Sequence, residues 1–484
     1  MGGLNRNSKS ATRVSPKSGL VYHALPFGAL ITAAVIAAAF GFSLAVNLPG
    51  QLSYDSVIQL YEGRFAAYNG WHPPVMSWLL GLSDAVVPGT ALFVIFDTAL
   101  LYGAMLSLIL TPRRVSVAAA VIALAAAALP QFLIYPGIVW KDVLFAHASI
   151  AGFVCLAHAA AQWPKPRARF ALIVAATLLF VLAALARQNG ILILLAGAGA
   201  LAWIAASQVS ARKRREALVY GGGVLVIAML AIALANIALS FRVTGDSATV
   251  AQLRLLEIYD IVGMKKAVPS LDLNTLASKE PALTAEVAGD GVKLYTPVRN
   301  DTLVATPRFL AALADSEPAN VRGQWRDLVA SHTWLYLKVR AAVFWQVFAT
   351  PDVSLCMPYK VGVEGPPDKL AALRVAERDD DRDDALDSYA GALQATPLFS
   401  HVFYFIVCVA CFIMLALRRR DADKAMLAML AGIFLFTASF FFISIACDYR
   451  YLYGIDLAAI VTLFYLALDP VSVWNTLWRR SPSP

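Results

Sequence analysis

Apolar runs of about twenty residues recur along this chain, separated by short polar breaks. They fall near 24–47, 90–110, 115–134, 142–161, 170–186, 190–207, 218–240, 397–417, 425–446 and 453–471. A bilayer core of about 30 Å takes about 20 apolar residues per helical crossing, so the pattern predicts ten spans. A further apolar stretch, Val75 to Val87, is shorter and contains Ser83 and Asp84. Basic clusters occur at Arg6–Lys17, Arg113-Arg114, Lys165–Arg169, Arg212–Arg215, Arg418–Arg420 and Arg479-Arg480. The positive-inside rule places all six in the cytoplasm. Only a non-spanning 75–87 keeps that parity, so the stretch is expected to form a re-entrant or juxtamembrane helix at the interface.

Composition agrees with this pattern. The chain has 484 residues, 59% hydrophobic and 15% charged, against about 25% charged in soluble domains; the mean hydropathy is +0.65. The net charge of +8 is read as basic loop residues, not nucleic-acid binding. Residues 1–20 carry four cations, and the run that follows is too long for a signal h-region, so it reads as a retained first span. The five cysteines imply no disulfide framework: four lie in or at the ends of apolar runs, and Cys356 stands alone in a polar segment. Cys408 and Cys411 have CxxC spacing but lie mid-span.

The expected organisation is a cytoplasmic tail (1–23), a seven-span transmembrane catalytic module (24–240) with first outer loop 48–89, a periplasmic domain (241–396), and three C-terminal spans with a short cytoplasmic tail (397–484). The segment 241–396 is too long for a bare loop. Within it, Trp325–Phe348 has helical periodicity and many aromatics, which suggests an amphipathic helix on the bilayer or the core. Glu377–Asp387 holds seven acids and two arginines; such a run usually forms a solvated face or disordered tip, and as a Ca²⁺ loop it lacks the turn glycine of an EF-hand.

Polar groups then gather at span ends on the outer side. They are Asp55, Glu62, Arg64 and His72 after span one, Lys141 and Asp142 at the start of span four, Arg187 and Asn189 between spans five and six, and Asp448, Arg450 and Tyr451 before span ten. Each has an ordinary reading: a helix cap for Asp55, Asp142 or Asn189, a snorkelling Lys141, interfacial anchors for His72, Arg187 and Arg450, an aromatic belt for Tyr451. Their shared depth suggests a polar cleft. A carboxylate there can act as general base, arginines can hold a phosphate, and an apolar surround accepts a lipid tail. This set suits transfer from a lipid-linked phosphate donor.

The order of "SYDS" (Ser53–Ser56), His72-Pro73-Pro74, "YPGIVWKDVLFA" (Tyr135–Ala146), "LARQNG" (Leu185–Gly190) and "DYRYLYG" (Asp448–Gly454) resembles the GT-C superfamily of integral membrane glycosyltransferases, among them the bacterial aminoarabinose and dolichyl-phosphate-mannose-type enzymes. It looks closest to uncharacterised bacterial branches. The resemblance covers mainly 24–240 and the last two spans. It implies an all-α polytopic GT-C-like module with a periplasmic insertion between spans seven and eight, in a bacterial inner membrane with both termini cytoplasmic. It implies an inverting hexosyl- or pentosyl-transfer from a polyprenyl-phosphate sugar to an envelope glycan or lipid. Asp55 would be the general base and Asp142 the second acid. Lys141, Arg187 and Arg450 would hold the donor phosphate, and His72 would shape the pocket. Glu62, Asn189, Asp448 and Tyr451 are weaker candidates. No cofactor follows with certainty; a divalent cation stays open and its ligands are unknown. "SYDS" carries one aspartate where several subfamilies carry paired acids.

Two alternatives stay in view. A transporter or flippase calls for inverted repeats and midplane charges. A non-enzymatic envelope-assembly protein needs no clustered acids. The discriminating observation is whether Asp55, Asp142, Arg187 and Arg450 converge on one cavity open to the lipid.

Overall fold

The computed structural model describes residues 27–111, 115–208, 214–240 and 248–470. The tail 1–23 and the clusters at Arg113-Arg114 and Arg479-Arg480 lie outside the described residues. The chain is an all-α polytopic membrane protein. Its first helices are α1 (Phe27–Asn47), α2 (Tyr54–Phe65), α3 (Pro74–Val86), α4 (Ala91–Leu108), α5 (Val117–Ala127) and α6 (Pro130–Leu133). They continue with α7 (Lys141–Ala161), α8 (Pro166–Ala186), α9 (Ile191–Gln208), α10 (Arg214–Ser240) and α11 (Ala248–Ala267). The described part ends with helices His401–Arg418, Asp423–Ile443 and Tyr453–Ala467. Among the described residues, nine helices are long and apolar enough to cross a membrane, and a tenth crossing arises if the bent pair Val117–Ala127 and Pro130–Gly137 is counted as one span.

The bend of 83° in that third expected span has a local cause. Pro130 has no N–H to continue the helix, and Leu129 before it is extended at ψ 142°. The bent pair still carries the chain from one end of the bundle to the other. Ser116 N–H donates to Leu468 O at one end, and Asn47 Nδ2 donates to Leu133 O, 2.6 Å, at the other.

The helix ends therefore sort into two faces. One holds Gly28, Ser116, Trp163, Arg418–Asp423 and Leu468; it carries Lys165, Arg167, Arg169 and Arg418–Arg420, and is called the basic end below. The opposite face holds Asn47, Lys141, Arg187, and the segment from Ser444 to Tyr453. At the centre is α7, whose span is 94% buried, whereas Ala217–Leu239 is 6% buried and turns nearly all its surface outward. The chemistry-bearing start of α7, Lys141-Asp142, is thus planted in the middle of the bundle.

The stretch expected to lie at the interface is α3, 13 residues long and not among the candidate spans. It packs tightly on α2. A Cβ on Gly63 would meet Ser77 O at 2.1 Å, and one on Gly81 would meet Gly63 O at 2.4 Å, so this crossing requires glycine on both helices. Arg64 closes the pair with a bidentate bridge to Asp84, Nε–Oδ2 2.7 Å and Nη2–Oδ1 2.5 Å.

The insertion does not have one core. Residues Leu255 to Val343 form their own cluster, around Ile258, Val262, Phe309 and Val343. From Val347 to Ala390 the buried side chains join the core of the membrane bundle instead. The expected single helix over Trp325–Phe348 is two helices, Pro318–Ser331 and Thr333–Ala349. Ser331 Oγ donates to Asp327 O and Thr333 Oγ1 donates to Val329 O, hydroxyl bonds that compete with the helical ladder. Nor is the second helix merely laid on the surface. Arg340 is fully buried and donates to Asp260 Oδ1, Phe441 O and Ser444 O at 2.8–3.0 Å, satisfying the end of a membrane helix.

The acidic run is ordered. Asp380 caps helix Asp381–Leu393 in a capping box with Asp383. Asp383 is buried and holds Arg378, which reaches Gln51 Oε1 at 2.5 Å. The run thereby props the loop between α1 and α2 and is not a free tip. The cysteine reading also needs correction: Cys356 is bonded to Cys447, 91 residues away. Cys155, Cys408 and Cys411 are free thiols.

Candidate functional site

The site is assembled on three short connections held by backbone bonds. Gln51 N–H donates to Gly137 O, Val139 N–H to Gln51 O, and Leu52 N–H to Gly362 O, all at 2.8–3.0 Å. Ser53 caps α2. Ser56 Oγ donates to Val139 O at 2.7 Å, and Trp140 Nε1 donates to Ser53 Oγ at 2.9 Å. The first turn of α2 is therefore locked to the residues just before α7. Asp55, one residue beyond the capped start, is brought beside Lys141 and Asp142 by those bonds.

The third connection is the turn Tyr449–Leu452. It presents Arg450, whose Nη2 lies 2.8 Å from Asp55 Oδ2 and 3.0 Å from Asp448 Oδ2, with Nε 3.7 Å from Asp142 Oδ2. Arg187 pairs with Asp142. His72 faces Asp55 Oδ1 through Nε2 at 3.8 Å, and Lys141 Nζ lies 3.5 Å from His72 Nδ1. Aromatic faces back both guanidiniums: Arg450 over Trp140 at 4.9 Å, Arg187 over Tyr451 at 5.0 Å and Phe440 at 5.2 Å. Such stacking keeps a partly desolvated guanidinium favourable. Three aspartates, three cations and His72 thus form one network drawn from five separated stretches of chain.

Asp55 is the accessible member. Its side chain is 32% exposed, against 14% for Asp448 and 2% for Asp142. Burial pushes its carboxyl up, but the neighbouring cations, Arg450 first, outweigh that and hold it at about 2. Burial, with Lys141 close by, pushes the His72 imidazole down to about 3. His72 is therefore a neutral ring at ordinary pH. With Lys141 Nζ on Nδ1, its proton belongs on Nε2, toward Asp55.

Not every candidate joins. Glu62 accepts from Ser77 Oγ at 2.7 Å and from Asn69 N–H at 3.2 Å, which ties α2 to α3 and to the loop before it. Asn189 Nδ2 donates to Ser439 Oγ at 2.9 Å. Conversely, the structure adds residues that the linear pattern did not single out. Asp301, at the start of a short helix in the insertion, pairs with Arg299 at 3.6 Å, and the adjoining backbone bridges Ala446, two residues before Asp448. Beneath the site lies a closed polar floor. Asp456 takes His401 Nδ1 at 2.8 Å and Tyr449 O–H at 2.7 Å. His147 meets Asp97 at 3.0 Å and Tyr453 Oη at 3.1 Å. Tyr135 stacks on Tyr453 at 4.4 Å. These acids sit within apolar runs, and that was their only signal. Tyr449 and Tyr453, which these groups hold, lie on either side of Arg450 in sequence and stiffen the turn that presents it.

A resident divalent cation is a poor fit to this donor set. Guanidinium groups already occupy the space between the carboxylates, and no three His, Cys, Asp or Glu converge as a cation cage among the described residues.

No family model and no curated protein matches the chain. Its trace is similar to solved structures from Archaeoglobus fulgidus. One is an oligosaccharyltransferase crystallised with Zn and sulfate, at 16% identity and TM-score 0.43 over 92% of this chain and 50% of that one. Another is the archaeal oligosaccharyltransferase AglB with an inhibitory peptide and a dolichol-phosphate, at 14% identity and TM-score 0.41 over 94% and 52%. A third is the apo oligosaccharyltransferase, at 14% identity and TM-score 0.43 over 92% and 51%. The chain spans about half the length of each.

Proposed function

We propose that this protein is a GT-C-type membrane glycosyltransferase that moves a sugar from a polyprenyl-phosphate donor to a cell-envelope glycan or lipid, at the outer face of a bacterial inner membrane. The observation that carries the reading is the network itself: one accessible carboxylate, Asp55, facing a set of cations at the membrane-helix ends. The exposed rings of Tyr54, Trp71 and Trp78 beside it suit headgroup depth.

In this reading the donor phosphate docks on Arg450, Arg187 and Lys141. Docking competes with Asp55 for Arg450. As the guanidinium turns to the phosphate, Asp55 loses its main depressing charge and becomes a better base. It then takes the proton of the acceptor hydroxyl. The hydroxyl oxygen attacks the anomeric carbon, the bond from that carbon to the phosphate oxygen breaks, and polyprenyl phosphate leaves with the electron pair. The arginines stabilise the charge that develops on it. Asp142 keeps Arg187 in place, and neutral His72 orients Asp55.

The test is transfer from a synthetic polyprenyl-phosphate sugar to an envelope extract by the purified full-length protein. Asp55→Asn is expected to cost about 10³-fold or more while the protein stays folded, read as retained helical circular dichroism. Glycan product at the wild-type rate from that variant would remove the reading.

A further inference from the structure

At the basic end, far from the candidate site, α9 and the helices His401–Arg418 and Asp423–Ile443 enclose a groove of about 560 Å³. Small side chains make it: Gly199 and Ala200 on one wall, Ala428 and Ala431 on the other. Its basic mouth carries Arg419, Arg420 and Lys424, and Trp203 stands at the same end of α9. We infer that this groove binds one anionic glycerophospholipid of the leaflet opposite the site, its phosphate on Arg419 and Lys424 and one acyl chain along the slot.

Length supports a single chain. From Lys424 to Leu435 the wall rises through eleven residues, about 16 Å at about 1.5 Å each. That is one leaflet of a core about 30 Å thick. Charge supports an anionic head. Arg418 is neutralised by Asp423, Nη2–Oδ1 2.5 Å, and Arg420 by Asp469 at 2.7 Å. Among the described residues, Lys424 pairs with Asp421, a half-exposed acid, at 2.6 Å. Arg419 donates to the carbonyl of Ala416 and pairs with no carboxylate among the described residues. Its backbone is left-handed, φ 59°, at a helix end where glycine is the usual residue; an arginine held there projects its charge at the mouth. A tryptophan at headgroup depth completes an interfacial site, and basic pockets between spans are where phosphate headgroups lodge.

Native mass spectrometry of the full-length protein, titrated with dioleoylphosphatidylglycerol or dioleoylphosphatidylcholine, tests this. The anionic lipid is expected to bind selectively. Arg419→Ala and Lys424→Ala should each weaken it about fivefold, and the double variant about thirtyfold, with phosphatidylcholine unaffected. Gly199 has open space where a Cβ would stand, so Gly199→Leu extends into the slot with no clash at Cβ. It should lower phosphatidylglycerol binding with every charge intact. Equal retention of the two lipids by the wild type would overturn the inference, as would wild-type binding by Gly199→Leu. Displacement of phosphatidylglycerol by an isoprenyl phosphate at equal mole fraction would overturn the choice of lipid.

Discussion

The two ends of the bundle both gather arginines, and they use them oppositely. At the site end, Arg450 and Arg187 are nearly buried and each is met by carboxylates from distant parts of the chain. At the basic end, Arg419 and Arg420 are exposed; Arg420 pairs with the part-exposed Asp469, and Arg419 with no carboxylate among the described residues. The difference teaches what a cation does at a membrane surface. An exposed excess of charge orients a helix and attracts lipid phosphate. A buried, balanced set stores charge that a ligand can redirect, because breaking one bridge in an apolar surround frees a strong partner.

The comparison can be broken first at its strongest point. Asp55→Asn should lose about 10³-fold or more in transfer, read as initial rate, while Asp448→Asn, whose carboxylate is already committed to its own neighbour Arg450, should lose far less. Equal losses would mean that exposure does not distinguish the acids. Arg450→Gln comes next. It leaves Asp142 and Asp448 buried without their shared cation, so equilibrium unfolding in mixed micelles should show a loss of about 3–5 kcal/mol. Reduction of Cys356–Cys447, or the double serine variant, should cost about 2–4 kcal/mol and loosen the segment leading into Asp448. The smallest effect belongs to the basic end: Arg420→Ala removes an exposed pair with Asp469 and should change stability by no more than about 1 kcal/mol.

A pH titration sharpens the same contrast. The folded Asp55 carboxyl, at about 2, lies below its ordinary value of 3.8. A depressed carboxylate contributes stability above its unfolded value and loses it as pH falls from about 4 through about 2. In Arg450→Gln the burial that raises this group is unopposed by its largest depressing charge, so the acid loss should begin at higher pH than in the wild type. Coincident acid limbs in the two proteins would separate Asp55 from Arg450.

Much of this was legible in the linear pattern for a definite reason. Hydrophobic runs and basic clusters are local signals, and the bilayer converts them directly into spans and sidedness. The candidates Asp55, His72, Lys141, Asp142, Arg187, Asp448, Arg450 and Tyr451 stood out because polar groups at span ends are costly to place without partners. Glu62 and Asn189 carried the same signal, yet they bind Ser77 and Ser439. Depth along a span can be read from sequence; rotation about the helix axis is decided by packing.

The sequence by itself determined an all-helical membrane chain, about ten crossings, a non-spanning α3, and the end of the bundle where acids and cations meet. Only the tertiary structure decided which of them touch. Cys356 finds Cys447, Arg378 finds Gln51 and Arg450 finds Asp55 across 91, 327 and 395 residues. No periodicity encodes such distances, because each partner is chosen by how helices several spans apart happen to pack. The break at His332 and the bend at Pro130 were settled by competing backbone bonds and a missing N–H, and they place the insertion and the floor beneath the network. Asp55 is accessible, and its neighbours are not, because α2 is pinned by Ser53, Ser56 and Trp140 with its first turn facing outward.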